Sequence, residues 1–163
     1  MSNVFSFPTD AVTVPEGTPV SEAAKLMRER SVGSVLVHKP DDPRRLPTGI
    51  LTDRDIVVRA VAAGADVGKI TVESIMSQPV ICGRYGQDPM TLLERMRKHG
   101  VRRLAMLNYE GGLGGIASLD DLWTHLGEQF GAVIGIVGHE QLRERLGVSA
   151  GHDDEFRREP INP

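Results

Sequence analysis

Two stretches of the chain share one pattern: Gly49-Ile50-Leu51-Thr52-Asp53-Arg54-Asp55 and Gly115-Ile116-Ala117-Ser118-Leu119-Asp120-Asp121. Each runs glycine, two small or apolar residues, a hydroxyl residue, two variable residues and aspartate. The local pattern puts Thr52 and Ser118 at strand-to-helix junctions, with Asp55 and Asp121 in the first helical turn. A helix N-terminus presents unpaired N–H groups and positive potential, which favours a phosphate, and a hydroxyl can donate to the same group. A carboxylate one turn on can accept from both hydroxyls of a ribose, where a deoxyribose offers one fewer. Apolar strand residues would sandwich the base, so a ribonucleotide is the natural ligand of such a constellation. The same spacing is also close to a capping box, in which the hydroxyl takes an orphan N–H and the acid reaches back. Duplication does not separate the two readings, because any repeat copies its own cap.

The elements that must position these residues are themselves repeated. Gly17 and Met27 align with Gly86 and Met96 at a spacing of 69 residues, which also sets Val35 and Val37 against Leu104 and Met106. The paired motifs align at 66, and the three-residue difference falls in the loops Lys39 to Pro47 and Asn108 to Gly114, where insertion is tolerated. Val20, Ala23, Ala24 and Met27 recur at helical spacing and predict a helix to about Arg30, followed by a β-rich Val32 to His38. Gly49 to Leu51 reads as a short strand, and Asp53 to Ala63 as a helix stopped by Gly64. The second copy predicts a helix over Pro89 to His99, a strand over Val101 to Leu107, a strand around Gly115 to Ala117 and a helix from Leu119. Between the copies, Val72 to Ser77 looks like one helical turn.

The tandem repeat, the two Gly-x-x-(Ser/Thr)-x-x-Asp segments, and the helices ending in Met27-Arg28-Glu29-Arg30-Ser31-Val32-Gly33 and Met96-Arg97-Lys98-His99-Gly100-Val101-Arg102-Arg103 resemble paired CBS domains, the Bateman module. The resemblance covers roughly residues 8 to 127. It implies an α/β (α+β) fold of two βαββα repeats packed pseudo-symmetrically through their sheets. The expected division is repeat 1 at 8–66, a linker at 67–79, repeat 2 at 80–127, a C-terminal helical extension at 128–148 and a flexible tail at 149–163. It further implies two clefts for adenosine-containing ligands such as AMP, ADP, ATP or S-adenosylmethionine. By position, Thr52 and Ser118 are candidates for phosphate contact and Asp55 and Asp121 for ribose contact. Val12, Thr13, Val14, Val80, Ile81 and Cys82, with Val35 and Leu104, would line the base pockets. Arg102 and Arg103 fall where the family often supplies a cationic phosphate partner, whereas the first repeat has Gly33-Ser34 there, an asymmetry that bears on how equally the clefts fill. Modules of this kind commonly dimerise through their helices, so a homodimer is expected.

Composition bounds the alternatives. Hydrophobic residues make up 40% and charged residues 25% of the 163, the ordinary globular range. A formal charge of −3 leaves no global basic field for nucleic acid or an anionic membrane, and 4% aromatic content offers few stacking platforms. The single Cys82 excludes an intrachain disulfide and any Cys-x-x-Cys site, and reads as a small buried apolar residue. His38, His99, His125, His139 and His152 are scattered without metal spacing or a neighbouring nucleophile signature, so neither an enzyme nor a metal or cofactor protein is expected. No secretory signal opens the chain, and the longest apolar stretch, Phe130 to Val137, is too short to span a bilayer, which makes the cytoplasm the default. The remaining residues hold no room for an appended catalytic domain, so the chain looks like a stand-alone pair acting through self-association or a regulated partner protein. The rival reading is a module that docks without binding any small molecule. Gly127, Gly131 and Gly135 recur on one helical face, pointing either to close approach of another backbone or to a helix that ends at Gly127.

Overall fold

The computed structural model describes residues 11–131. The chain divides into two compact units, Met1–Trp123 and Thr124–Pro163. The first unit is built from β1 (Thr13–Pro15), α1 (Val20–Glu29), β2 (Ser34–His38), β3 (Pro47–Thr52) and α2, which starts at Asp53–Asp55 and widens into a π-type turn over Ile56–Val61. The same order returns as β4 (Cys82–Arg84), α3 (Pro89–His99), β5 (Arg103–Leu107), β6 (Leu113–Ser118) and α4, helical from 119. Each repeat forms a three-stranded sheet, β1-β2-β3 and β4-β5-β6, with the first pair parallel and the second antiparallel. The registers coincide throughout: Ser34 pairs with Thr52 as Arg103 pairs with Ser118, and both hairpins carry a bulge at their far end. The duplicated βαββα architecture expected from the sequence is present.

Helix ends explain why the copies fold alike from different residues. Asp88 caps α3 by accepting from the Thr91 N–H at 3.0 Å, with Pro89 pre-set for the first turn. Pro19 occupies the same position before α1 and cannot cap. There the Val20 and Ser21 amides instead donate to the carbonyls of Ile70 (3.0 Å) and Val67 (2.9 Å), so the segment between repeats caps the first helix. Both helices end on a left-handed residue, Gly100 in the second repeat and Ser31 in the first, at φ +63° and +53°.

Each sheet is apolar on both faces. Val35, Val37 and Leu51 pack beneath α1 and α2 with Val20, Met27 and Ala60, while Leu104, Met106 and Ala117 pack beneath α3 and α4 with Leu92, Met96 and Leu122. Leu36 and Ala105 belong to neither core yet are only 1% exposed, because the two sheets pack through their opposite faces. The seam is also tied by the backbone, with the Leu113 N–H of β6 donating to the Arg44 carbonyl at 2.9 Å. Arg44 lies in the longer of the two hairpin loops. Asp42 and Asn108 play one role there, each accepting two backbone amides of its own loop, and the three extra residues of the first copy precede Asp42.

The segment between the copies is part of the first core. Its Val72–Ser74 turn is 3-10 rather than α, and Val72, Ile75 and Met76 are buried beneath α2. Met76 lies against Gly49, where a β-carbon would overlap its thioether, and Ser77 exchanges two backbone hydrogen bonds with Ile50. Helix α2 is less regular than its periodicity predicts. Its i→i+5 bond from the Ala62 N–H to Val57 (2.9 Å) starts in the run Ile56-Val57-Val58, where β-branched side chains crowd a normal helical turn, and a second, Ala65 N–H to Ala60 (3.0 Å), closes the helix's end.

In the second unit, residues 124–131 are helical, with His125 and Gln129 hydrogen-bonded at 2.8 Å. The helix therefore does not end at Gly127. Among the described residues, neither Gly127 nor Gly131 has a neighbour that a β-carbon would touch. Gly135, the rest of the expected extension and the 149–163 tail lie outside the described residues.

Two carboxyls, the half-buried Asp42 and the exposed Asp88, give the fold a pH dependence of known sign. Backbone hydrogen bonding from Arg44, followed by Leu46, holds Asp42 below its ordinary value, and the Thr91 hydroxyl and amide do the same for Asp88. A carboxyl lowered in the folded state binds fewer protons there than in the unfolded chain. Its stabilisation is complete above the unfolded value of about 3.9 and is lost as pH falls through the depressed one. The double variant Asp42→Asn/Asp88→Asn is expected to show a flatter fall of melting temperature between about pH 4 and pH 2 than the wild type, measured by circular dichroism.

Candidate functional site

The two motif segments are built to the same plan. Thr52 ends β3 in extended geometry (φ −111°, ψ 159°), and its Oγ1 accepts the Asp55 N–H at 3.1 Å. Asp55 Oδ2 accepts the Thr52 N–H at 3.0 Å and the Thr52 hydroxyl at 2.7 Å. At the other junction, Ser118 Oγ accepts the Asp121 N–H at 3.1 Å, and Asp121 Oδ2 accepts the Ser118 N–H at 2.8 Å and hydroxyl at 2.6 Å. The capping box is thus complete at both sites, and all four residues are half-buried rather than sealed. One oxygen of each carboxylate does the capping. The other is left for a second task.

That second oxygen has a neighbour at the first junction. Asp55 Oδ1 lies 3.5 Å from Arg59 Nε, and Arg59 Nη1 donates to the carbonyls of Ile75 (2.8 Å) and Met76 (3.1 Å). Nothing in the sequence singled out Arg59, since its partners lie 16 and 17 residues away.

The two candidate arginines separate. Arg102 lies on the surface 3.8 Å from Asp120, with side chains 72% and 83% exposed, a solvent-screened pair of small energetic weight. Arg103 is half-buried and reaches across the seam: a β-carbon placed on Gly33 would lie 3.4 Å from its guanidinium and 3.2 Å from an Asp53 carboxylate oxygen. Gly33 in turn accepts the Asp53 N–H at 3.2 Å, immediately after Thr52. The cation supplied by the second repeat therefore stands beside the first repeat's junction, over the glycine that leaves it room.

The expected base-lining residues divide by strand alternation. Val14, Val35 and Leu104 project into the helix-side cores, at 5%, 0% and 0% exposure, and present no side chain to an opening. Val12 and Ile81 are half-buried against those cores, and Val80 is half-buried in the segment before β4. Thr13 faces away from the core, on the wall of a cavity of about 610 Å³ that it shares with His38, Asp41 and Arg45. Cys82, its counterpart, is half-buried rather than fully buried. Burial raises its thiol above the ordinary value against the opposing charge of Arg95, whose guanidinium donates to the Cys82 carbonyl at 2.5 Å. The apolar side chains sharing a face with Thr52 and Ser118 are Leu36, Ile50, Ala105 and Ile116, because cross-strand partners and i, i+2 neighbours point the same way. Ile50 and Ile116 are only half-buried. Among the described residues, no group of His, Cys, Asp and Glu side chains is placed to hold a metal ion, and no helix is long and apolar enough to cross a membrane.

A duplicated strand-to-helix capping motif on two like sheets defines a tandem repeat pair, and comparison with known proteins gives the family. A CBS domain family model matches residues 4–61. The CBS domain-containing protein YhcV of Bacillus subtilis is 30% identical over 136 residues, covering 82% of this chain and 93% of that protein. The protein MK0525 of Methanopyrus kandleri is 33% identical over 113 residues, 69% of this chain but 56% of that one, so the chain spans little more than half of that relative. Among solved structures, a putative signal-transduction protein with CBS domains from Burkholderia ambifaria superposes with a TM-score of 0.65 at 30% identity, over 73% of this chain and 84% of that one. PAE2072 of Pyrobaculum aerophilum, solved in complex with AMP, gives 0.62 at 28% identity, over 71% and 84%. The chain belongs to the CBS-domain family, as a pair of CBS repeats forming a regulatory module.

Because the capping bonds are in place, removing them has a cost independent of any ligand. Thr52→Ala and Ser118→Ala are each expected to lower unfolding free energy by about 0.5–2 kcal/mol in urea titrations, by loss of the cap.

Proposed function

We propose that this CBS pair senses adenosine-containing nucleotides, binding them beside the β3–α2 and β6–α4 junctions and passing occupancy on through self-association or a partner protein. The observation that carries the reading is that each capping box uses one oxygen of its Asp carboxylate, with half-buried Ile50 or Ile116 on the same sheet face as the hydroxyl residue. Ribose hydroxyls would donate to Asp55 or Asp121, and the phosphate would meet the Thr52 or Ser118 hydroxyl. Arg103 favours the first cleft for the more highly charged phosphate chain, since it stands beside Thr52 rather than Ser118. The AMP complex of PAE2072 supports the ligand class; ADP, ATP and S-adenosylmethionine share the adenosine that Asp55 and Asp121 would read.

A thermal-shift series with AMP, ADP, ATP, S-adenosylmethionine and deoxy-AMP tests this. A ligand present at 100 times its dissociation constant stabilises by about 2.7 kcal/mol, well within detection. AMP is expected to raise the melting temperature more than deoxy-AMP does. Asp55→Asn and Arg103→Ala should each weaken AMP binding at the first cleft by about tenfold in calorimetry, with Asp121→Asn acting on the second. Absence of a shift with every adenosine compound at millimolar concentration would reject the ligand reading.

A second reading, a ligand-free docking or dimerisation module, draws on a different observation. Val57, Val58 and Val61 on α2 are 57%, 53% and 62% exposed, and Trp123, which matches Val57 in the repeat register, is 75% exposed. Both copies thus present a large apolar side chain at the same helical position, the kind of surface that self-association covers. We propose a homodimer through these helices. Light scattering on size-exclusion fractions is expected to give a dimer mass for the wild type and a monomer mass for Val57→Asp/Trp123→Asp; a wild-type monomer would reject it.

A further inference from the structure

Arg59 occupies a place that neither the capping box nor the nucleotide reading requires. Its Nε faces Asp55 Oδ1 at 3.5 Å while its Nη1 donates to the carbonyls of both Ile75 and Met76. Those two residues are 7% exposed, so their carbonyls have little access to water and depend on a protein donor. The planar guanidinium faces the carboxylate with its Nε and the two carbonyls with its Nη1, a spread of donors that the compact ammonium of a lysine does not reproduce. The same segment is laced to the motif at two further points: Met76 fills the space over Gly49, and Ser77 and Ile50 exchange hydrogen bonds at 2.9 and 3.0 Å. The segment that leads into the second repeat is thereby fastened to the glycine, the strand and the aspartate of the first motif. The second motif does not repeat this, since the residue in register with Arg59 is His125.

We infer that Arg59 couples the Asp55 carboxylate to the inter-repeat segment 75–77, so that occupancy of Asp55 in the first cleft changes how firmly that segment is held. Arg59 is a positioning residue: it orients Asp55 and answers to it. A ribose donating to Asp55 Oδ1 competes with Arg59 Nε for the same oxygen, and the arginine's hold on Ile75 and Met76 shifts with it. The coupling itself needs no ligand; its use as a signal rests on the nucleotide reading.

Residue-resolved amide exchange by NMR on the full chain tests both parts separately. Without ligand, Arg59→Gln is expected to speed exchange of the Met76, Ser77 and Ile50 amides by about fivefold or more, as a locally loosened segment does. Asp55→Asn, which removes the charge and turns one acceptor oxygen into an N–H donor, should speed the same amides, and the double variant should be no faster than Arg59→Gln alone, the mark of two residues acting through one link. Asp88→Asn, which perturbs a helix cap remote in sequence, serves as the control for general loosening. An unchanged Asp55→Asn, a double variant whose effects multiply, or an equal response in Asp88→Asn would each overturn the coupling. With AMP added, the wild-type amides should change rate and those of Arg59→Gln should not. If calorimetry shows AMP bound to the wild type in a step that Asp55→Asn weakens, while Met76 and Ser77 do not respond, the coupling is overturned. If AMP does not bind at all while the ligand-free pattern holds, the coupling stands and the nucleotide reading falls.

Discussion

A three-stranded sheet with helices on one side leaves its other side to be covered, and everything distinctive about this chain depends on how that is done. The uncovered faces carry Leu36 and Ile50 in one copy and Ala105 and Ile116 in the other, so each sheet hides its apolar face against its counterpart. Neither repeat is a finished fold without the other, since a sheet this small has too little burial to stand alone. The seam is tight at the central strands, where Leu36 and Ala105 are sealed, and more open at the edge strands β3 and β6, where Thr52, Ser118, Ile50 and Ile116 keep some exposure. The hydroxyl residues sit at the ends of those edge strands, where packing a sheet on its own copy leaves the most room.

The copies agree in backbone and differ in side chain where a ligand would be told apart. Gly33 yields its space to an arginine from the other copy, whereas the matching position, Arg102, turns outward to Asp120. Asp55 is steadied by Arg59 and through it by the inter-repeat segment. The left-handed position after the first helix of each repeat is a glycine in the second copy and Ser31 in the first. Duplication supplies two similar frames, and a handful of substitutions makes them chemically unequal.

Much of the frame was legible in the sequence because it rests on local rules written twice. Asp88-Pro89 and Gly100 punctuate α3 at the ends its apolar spacing implies, and the hydroxyl-to-aspartate spacing of each motif is the spacing of a capping box. The faces of the inner strands were not legible. Ser34-Val35-Leu36-Val37 is nearly all apolar because both faces are buried, so the run conceals its period of two and does not tell that Leu36 rather than Val35 shares a face with Thr52. Arg103 could be picked out as a cation alternating with apolar strand neighbours, but not its destination, because that is set by the other repeat. Arg59 left no signal at all: its partners are backbone carbonyls, which have no sequence signature. The widened turn of α2 is hinted at only by a β-branched run.

The chain contains one tryptophan, and it is Trp123, largely exposed in the first turns of α4. An indole in water emits at long wavelength and is readily quenched, whereas one covered by protein shifts to the blue and is shielded. With no other indole to dilute the signal, the emission of the unlabelled protein reports on one spot, the helix face next to the Ser118–Asp121 junction. The molecule carries its own optical gauge of whatever comes to rest on that face.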